Sequence, residues 1–205
     1  MLNNGVTTTT PTEIPFDAGV YFAGVEYNEK EAPTEESIKA KIIGATQEGG
    51  TLTIEPEFFD IPADGAHVLT KELKTKVGET AKIEVSFMQM QAEMVRKQVI
   101  GSLNNSTDTK YDVITSDEYL RPGHYYQGFG FMGHLLDGRD FIVIFKNALC
   151  TSGHTSEHKN KTNTVFKGTF ECHSDIEYGL TKLPYAIFIR KADSWKAVNA
   201  DEVNE

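Results

Sequence analysis

Cys150, His154 and His158 follow one another at intervals of four, and Cys172 and His173 lie a short way downstream. Thiolate and imidazole are the usual ligands of zinc, and on a helix that spacing would align three ligands on one face. The intervening residues, Thr-Ser-Gly and Thr-Ser-Glu, favour a loop instead, and the Cys-x2-Cys pairs of structural zinc sites are absent. Two readings remain, a Cys/His metal-dependent enzyme and a soluble loop with exposed histidines, and the loop is favoured. Glu55 and Glu57 form a carboxylate pair on a strand-like segment, but acid-base catalysis needs a partner across a cleft. Gly128-Phe129-Gly130 leads into no helix, so it does not cradle phosphate. Tyr125, Tyr126 and Phe129 could form a stacking platform in a monomeric β-sandwich module that binds carbohydrate or protein. The expectation is a protein with no catalytic residue, metal or cofactor.

The elements that would position these groups read as strands. Leu52 and Ile54 alternate with Thr51, Thr53 and Glu55, and Pro56 then suggests an edge strand or a bulge. Ile83, Val85 and Phe87 alternate strictly with Lys82, Glu84 and Ser86. The period then changes: Ala92, Val95 and Val99 predict one amphipathic helix over roughly Gln91 to Ile100, poorly N-capped and stopped by Gly101. Asp137-Gly138 between two apolar runs signals a hairpin. Phe141 to Phe145 is apolar throughout, so that strand should be covered on both faces. Phe166, Phe170 and Cys172 belong to a further alternating strand, and Tyr185 to Ile189 to a last one. Phe16 to Tyr27 reads as a first strand.

Between these elements run long polar connections, residues 28–50 and 150–163, and polar arms, residues 1–15 and 191–205. The first connection is acidic and holds an apolar island, Ile42-Ile43, that something should cover. Residues 16–190 are expected to form one domain. Val, Ile, Thr and the aromatics make up about a third of the 205 residues, a mix that favours sheets. The net charge of −10 repels phosphate, so tight sequence-independent nucleic-acid binding is not expected. Two cysteines, with no apolar leader and cleavage site, argue for a reducing interior, and no run approaches the roughly 20 apolar residues of a membrane helix. Long loops, arms and a β-rich core suit a self-assembling protein, in which neighbours satisfy edge strands and cover apolar islands.

The stretch GATQEGGTLTIEPEFFDIPADG (residues 44–65), then KVGETAKIEVSFMQMQAEMVRKQVIG (76–101), DFIVIFKNALC (140–150), TVFKGTFECHSD and LPYAIFI, resembles the tail tube (major tail) proteins of long-tailed bacteriophages. That resemblance implies a mainly β fold, a two-sheet β-sandwich or barrel with one flanking α-helix, extended loops and terminal arms. It implies six subunits to a ring and rings stacked into a tube that holds the tape-measure protein and later conducts DNA without binding it specifically. The partners would be further copies of the chain, the tape-measure protein, the tail terminator and distal tail or baseplate proteins, with no membrane. The location would be the virion, and the host cytoplasm during assembly. On this analogy Ile42, Ile43, Gln47, Glu48, His154 and His158 are candidate inter-subunit contacts, and Glu55, Glu57 and Glu84 candidate acids of a net-negative lumen.

Overall fold

The computed structural model describes residues 7, 10–15, 19–65, 67–104, 106–108, 110–158, 160–161 and 163–192. The expected C-terminal arm therefore lies outside the described residues except for 191–192, and so does most of the N-terminal arm. Its described end packs back on the domain: Leu136 N–H donates to the Ile14 carbonyl at 2.8 Å, and Pro15 bridges Leu135. In chain order the elements are β1 (Val20–Phe22), α1 (Glu35–Lys39), β2 (Thr46–Asp60), β3 (Lys74–Phe87), α2 (Ala92–Gln98), β4 (Gly101–Asn104) and β5 (Val113–Ser116). They continue with β6 (Tyr126–His134), β7 (Asp140–Cys150), β8 (Thr155–Ser156), β9 (Phe166–Cys172) and β10 (Tyr185–Ile189). The fold is mainly β, as expected.

An eight-stranded antiparallel sheet runs β1-β6-β7-β9-β3-β2, with β10 added on β7 and β8 on β9, and β4-β5 form a separate pair. The sheet folds over on itself at β7. The first half of β7 (Phe141 to Phe145) pairs with β10, whereas Ala148 to Cys150 pair with β9. Opposite this crossover, β6 skips a ladder pair at Gly128, whose φ is +54°. A Cβ there would stand 1.6 Å from the Val25 carbonyl oxygen, so only glycine fits. One strand thereby serves two layers, β1-β6-β7-β10 and β9-β3-β2, the usual way a sheet turns a corner. The two-sheet sandwich expected from the sequence is one hydrogen-bonded surface in two layers.

The layers close on an aromatic core. Phe129 of β6 stacks on Phe170 of β9 with centroids 4.5 Å apart, Phe87 meets Phe170 edge-on at 6.2 Å, and Tyr21 meets Phe87 at 6.2 Å. Phe87, Phe129, Phe145 and Phe170 are wholly buried. On the far face of β7, Ile142 and Ile144 pack with Phe22, Val25, Met132 and Ile38, the last brought by α1. The apolar run of β7 is thus covered on both faces, as its sequence required.

Three local expectations need correction. The connection drawn as residues 28–50 contains α1, capped by Thr34 Oγ1 accepting from Ser37 N–H, and ends at residue 45 because β2 starts at Thr46. The connection drawn as 150–163 starts one residue later, since Cys150 closes β7, and its middle pairs with β9 as β8. The long helix shrinks to Ala92–Gln98, without a side-chain N-cap as its sequence implied, and Gly101 does not stop it. The left-handed residue is Ile100 (φ 52°), a costly place for a β-branched side chain. Gly101 instead opens β4, where a Cβ would lie 2.6 Å from the Thr115 carbonyl oxygen. Helix α2 plugs one end of the core with Met94, and Lys97 lies over the Tyr126 ring at 4.2 Å while donating to the Tyr125 carbonyl at 2.9 Å.

Candidate functional site

The three carboxylates singled out from the sequence share one sheet face. In the β2-β3 register Thr51 lies opposite Glu84, Thr53 opposite Lys82, Glu55 opposite Thr80 and Glu57 opposite Gly78. The β3-β9 register adds Thr169 beside Glu84, Glu171 beside Lys82 and Lys167 beside Ser86. Because cross-strand partners point the same way, these residues line one surface, the one turned away from Ile83, Val85, Phe87 and Phe170. It carries the acids Glu55, Glu57, Glu84 and Glu171 against Lys82 and Lys167, an excess of two negative charges. Lys82 Nζ stands 3.8 Å from Glu84 Oε1, so one of its two cations is paired within the face.

Past Ile54 and Ala81 the β2-β3 ribbon leaves the body. Phe58 and Phe59 are 55% and 51% exposed, Val77 57%, and Val68 and Leu69 at the tip 78% and 83%. Among the described residues β2 is a terminal strand of the sheet, bonded to β3 alone, which lets Pro56 sit in it without breaking a ladder. The return strand over residues 74–80 leaves no signal in the sequence, because Lys-Thr-Lys-Val-Gly-Glu-Thr has no buried face to set a period of two. Lys74 holds the ribbon, pairing with Asp60 at 3.0 Å and lying 5.7 Å from the Phe58 ring centre.

The apolar island splits. Ile43 packs against the main core and its N–H bonds the Tyr21 carbonyl at 3.1 Å, so its own subunit covers it; Ile42 bridges Phe22 through the backbone and leaves its side chain 43% exposed. Gln47 and Glu48 fall in a bulge where the β2-β3 register slips between Thr46 and Gly50. The Gln47 side-chain amide oxygen Oε1 is buried with no hydrogen-bond partner among the described residues, and the Glu48 side chain lies outside them.

The Cys/His set does not converge. Cys150 Sγ lies 3.7 Å from Ser152 Oγ and from the Gly153 carbonyl, Cys172 Sγ faces the Pro184 carbonyl at 3.7 Å, and His158 bonds Ser156 and Thr164. His154 stacks on Phe166 with centroids 5.4 Å apart and bonds Gln98 Oε1 at 2.6 Å, tying the second long loop to α2. Burial pushes both thiols up, Cys172 to about 12, the opposite of what a metal-binding or reactive thiolate requires. Among the described residues no three His, Cys, Asp or Glu side chains come together as ligands. The stacking platform also dissolves: Tyr126 and Phe129 are buried core rings, and Tyr125 turns edge-on to His173.

No protein-family model matches the chain, and no curated protein compared with it gives a significant match. Among solved structures, the chain is similar to a chain of the tail of an empty GTA particle, refined helically with C6 symmetry. The identity is 9%, over 85% of this chain and 96% of that one, with a TM-score of 0.41. It is also similar to a chain of the virion of a native gene transfer agent particle, with 10% identity over 72% of this chain and 86% of that one and a TM-score of 0.36. Both neighbours are components of gene transfer agent particles, one of them of the tail.

Proposed function

We propose that this chain is the structural subunit of a phage tail tube: it closes into hexameric rings, and the rings stack into a channel that holds the tape-measure protein and later passes DNA. The observation that carries the reading is the β2-β3 ribbon, whose phenylalanines and apolar tip its own subunit leaves wet. An arm of that kind is stable in solution only at a cost, and a neighbouring subunit removes it. Among the described residues β2 and β10 pair on one side each, and their other edges supply unpaired backbone groups for the same purpose. A ring made from one arm and one different receiving surface has a heterologous interface, and head-to-tail repetition of such rings gives an open filament. The sixfold number and the tape-measure, terminator and baseplate partners rest on the sequence resemblance. The face bearing Glu55, Glu57 and Glu84 is the candidate lumen, since a wall short of cations gives phosphates nothing to hold.

Electron microscopy and sedimentation of purified protein over a range of concentrations test this. Rings or tubes of uniform width support it. A strictly monomeric species up to the solubility limit, with and without tape-measure protein, would remove it.

A further inference from the structure

Between its two layers the sheet holds a pocket of about 180 Å³. The layer β1-β6-β7-β10 contributes Tyr21, Phe131, Phe141 and Val143, and the layer β9-β3-β2 contributes Leu52 and Ile83. Tyr21, Ile83 and Val143 are buried, whereas Leu52 is 37% exposed and stands at the mouth. Of these six side chains only Tyr21 carries a polar group, so water finds too few partners to settle there. An apolar cavity of about 150 Å³ is enough to hold a benzene ring.

The chain leaves the sheet beside that pocket. Ile189 ends β10 opposite Phe141, Arg190 N–H donates to the Asp140 carbonyl at 3.0 Å, and the Arg190 guanidinium pairs with the Asp140 carboxylate at 3.0 Å. Cross-strand partners point the same way, so Ile187 and Ile189 share the face of Val143 and Phe141 that turns into the pocket, yet they are 43% and 60% exposed. An apolar strip thus runs from the last strand to the pocket and stays half wet. Residues 193–205 lie outside the described residues. They hold Trp195, the one tryptophan of the chain and the only aromatic residue after Phe188. It stands five residues past Arg190, a reach of about 17 Å when extended. The two strand spacings from β10 to β6 amount to about 10 Å.

We propose that the pocket is the seat of Trp195 of the same chain: the segment after β10 crosses Ile189 and Phe141 and lays its indole between Phe131 and Leu52. The pocket is apolar and of the right size for the rings, and its one hydroxyl, on Tyr21, can accept from the indole N–H. Seated there, the segment closes the open end of the core and covers Ile189. The seat is independent of the tube reading, since it forms within one subunit.

Trp195 supplies the only indole fluorescence of the protein. In the full chain, at concentrations where sedimentation shows monomer, its emission should be blue-shifted from that of the urea-unfolded chain, and acrylamide should quench it several-fold less. Trp195→Ala should lower the melting temperature by about 5 °C. Added indole should restore part of that loss by binding in the pocket. Leu52→Phe narrows the mouth and should return the quenching of Trp195 nearly to its unfolded value with the circular dichroism unchanged. Should that variant not fold, the wild-type quenching and the indole rescue decide the matter alone. Wild-type Trp195 quenched as freely as in the unfolded chain overturns the seat, and so does a folded Leu52→Phe protein in which Trp195 stays shielded. A Trp195→Ala protein whose melting temperature neither falls nor responds to indole overturns it as well. Shielding that is lost on dilution would assign the pocket to the indole of a second copy and overturn the intrachain seat.

Discussion

Replacing Phe58 and Phe59 together by serine separates assembly from folding. Each ring is about half exposed in the subunit. A phenylalanine carries on the order of 200 Å² of surface, so about 100 Å² of each stays wet until a neighbour covers it. At about 25 cal/mol per Å², covering both is worth about 5 kcal/mol at most, since association also costs side-chain and rotational freedom. Even half of that value, at 1.4 kcal/mol for each factor of ten, raises the critical concentration for assembly by about 60-fold. The subunit itself loses little: the Lys74 contact with the Phe58 ring is exposed and worth roughly 0.5 kcal/mol. The assay is light scattering against concentration, paired with a thermal melt of the monomer. Tubes forming at the wild-type concentration would refute the view that the ribbon is an assembly arm. A melt lowered by many degrees would refute the view that it is unsupported by its own body.

Other expectations are independent of that one. Gly128→Ala forces a side chain against the Val25 carbonyl at a left-handed position, and should lower the melting temperature markedly or prevent soluble expression. Burial pushes Cys172 and Tyr21 up to about 12, and raises Tyr126 further, so the folded state disfavours ionisation that the unfolded chain undergoes freely. Stability from these groups is complete below about pH 9 and is lost as the pH rises towards 12, so denaturant midpoints should fall across that window; a flat profile would contradict the burial. Ile42→Asp should leave the melt unchanged and impair tube growth, while Ile43→Asp should destabilise the monomer itself, because only Ile43 packs in the core. Tubes carrying Glu57→Lys and Glu84→Lys should retain DNA in a salt-dependent way where wild-type tubes do not, measured by filter retention between low and physiological salt.

What could be read in the sequence was what a buried face writes into it. Alternation in Ile83-Val85-Phe87 and Phe166-Phe170-Cys172, the unbroken run in β7, the Asp137-Gly138 turn and the final strand Tyr185–Ile189 all have packing partners that impose a period. The distal ribbon has none among the described residues, so Lys74 to Thr80 carry no period, and the feature on which the proposed function rests stayed hidden. The pair β4-β5 escaped notice for a related reason: Leu103 and Val113 are exposed, and the pair is held by polar contacts, with Asp117 accepting from Ser102 Oγ at 2.7 Å and lying 2.9 Å from His124 Nε2. The Cys/His spacing misled in the other direction. Its regularity is linear, but Cys150 ends a strand while His154 lies in a loop that folds back on Phe166, so equal intervals in sequence carry no common face.

In the proposed tube the charge of −10 takes on a more specific meaning. Most of the excess is not on the candidate lumen. The polar face of β2, β3 and β9 has a surplus of two acids, and much of the rest of that surface is hydroxyl: Thr51, Thr53, Thr80, Thr169 and Ser86. A wall of threonines hydrogen-bonds water and offers phosphate no counter-charge, and a sparse set of acids suffices to keep counterions, rather than DNA, at the surface. Denser negative charge would raise the repulsion between six copies facing one another across a closed ring, and so oppose assembly itself. The larger acidic reserve sits in residues 26–36, which hold five acids against Lys30. In that reading charge is divided between a candidate lumen that holds few acids and a segment outside it that holds many, and raising salt should leave passage through the lumen unchanged.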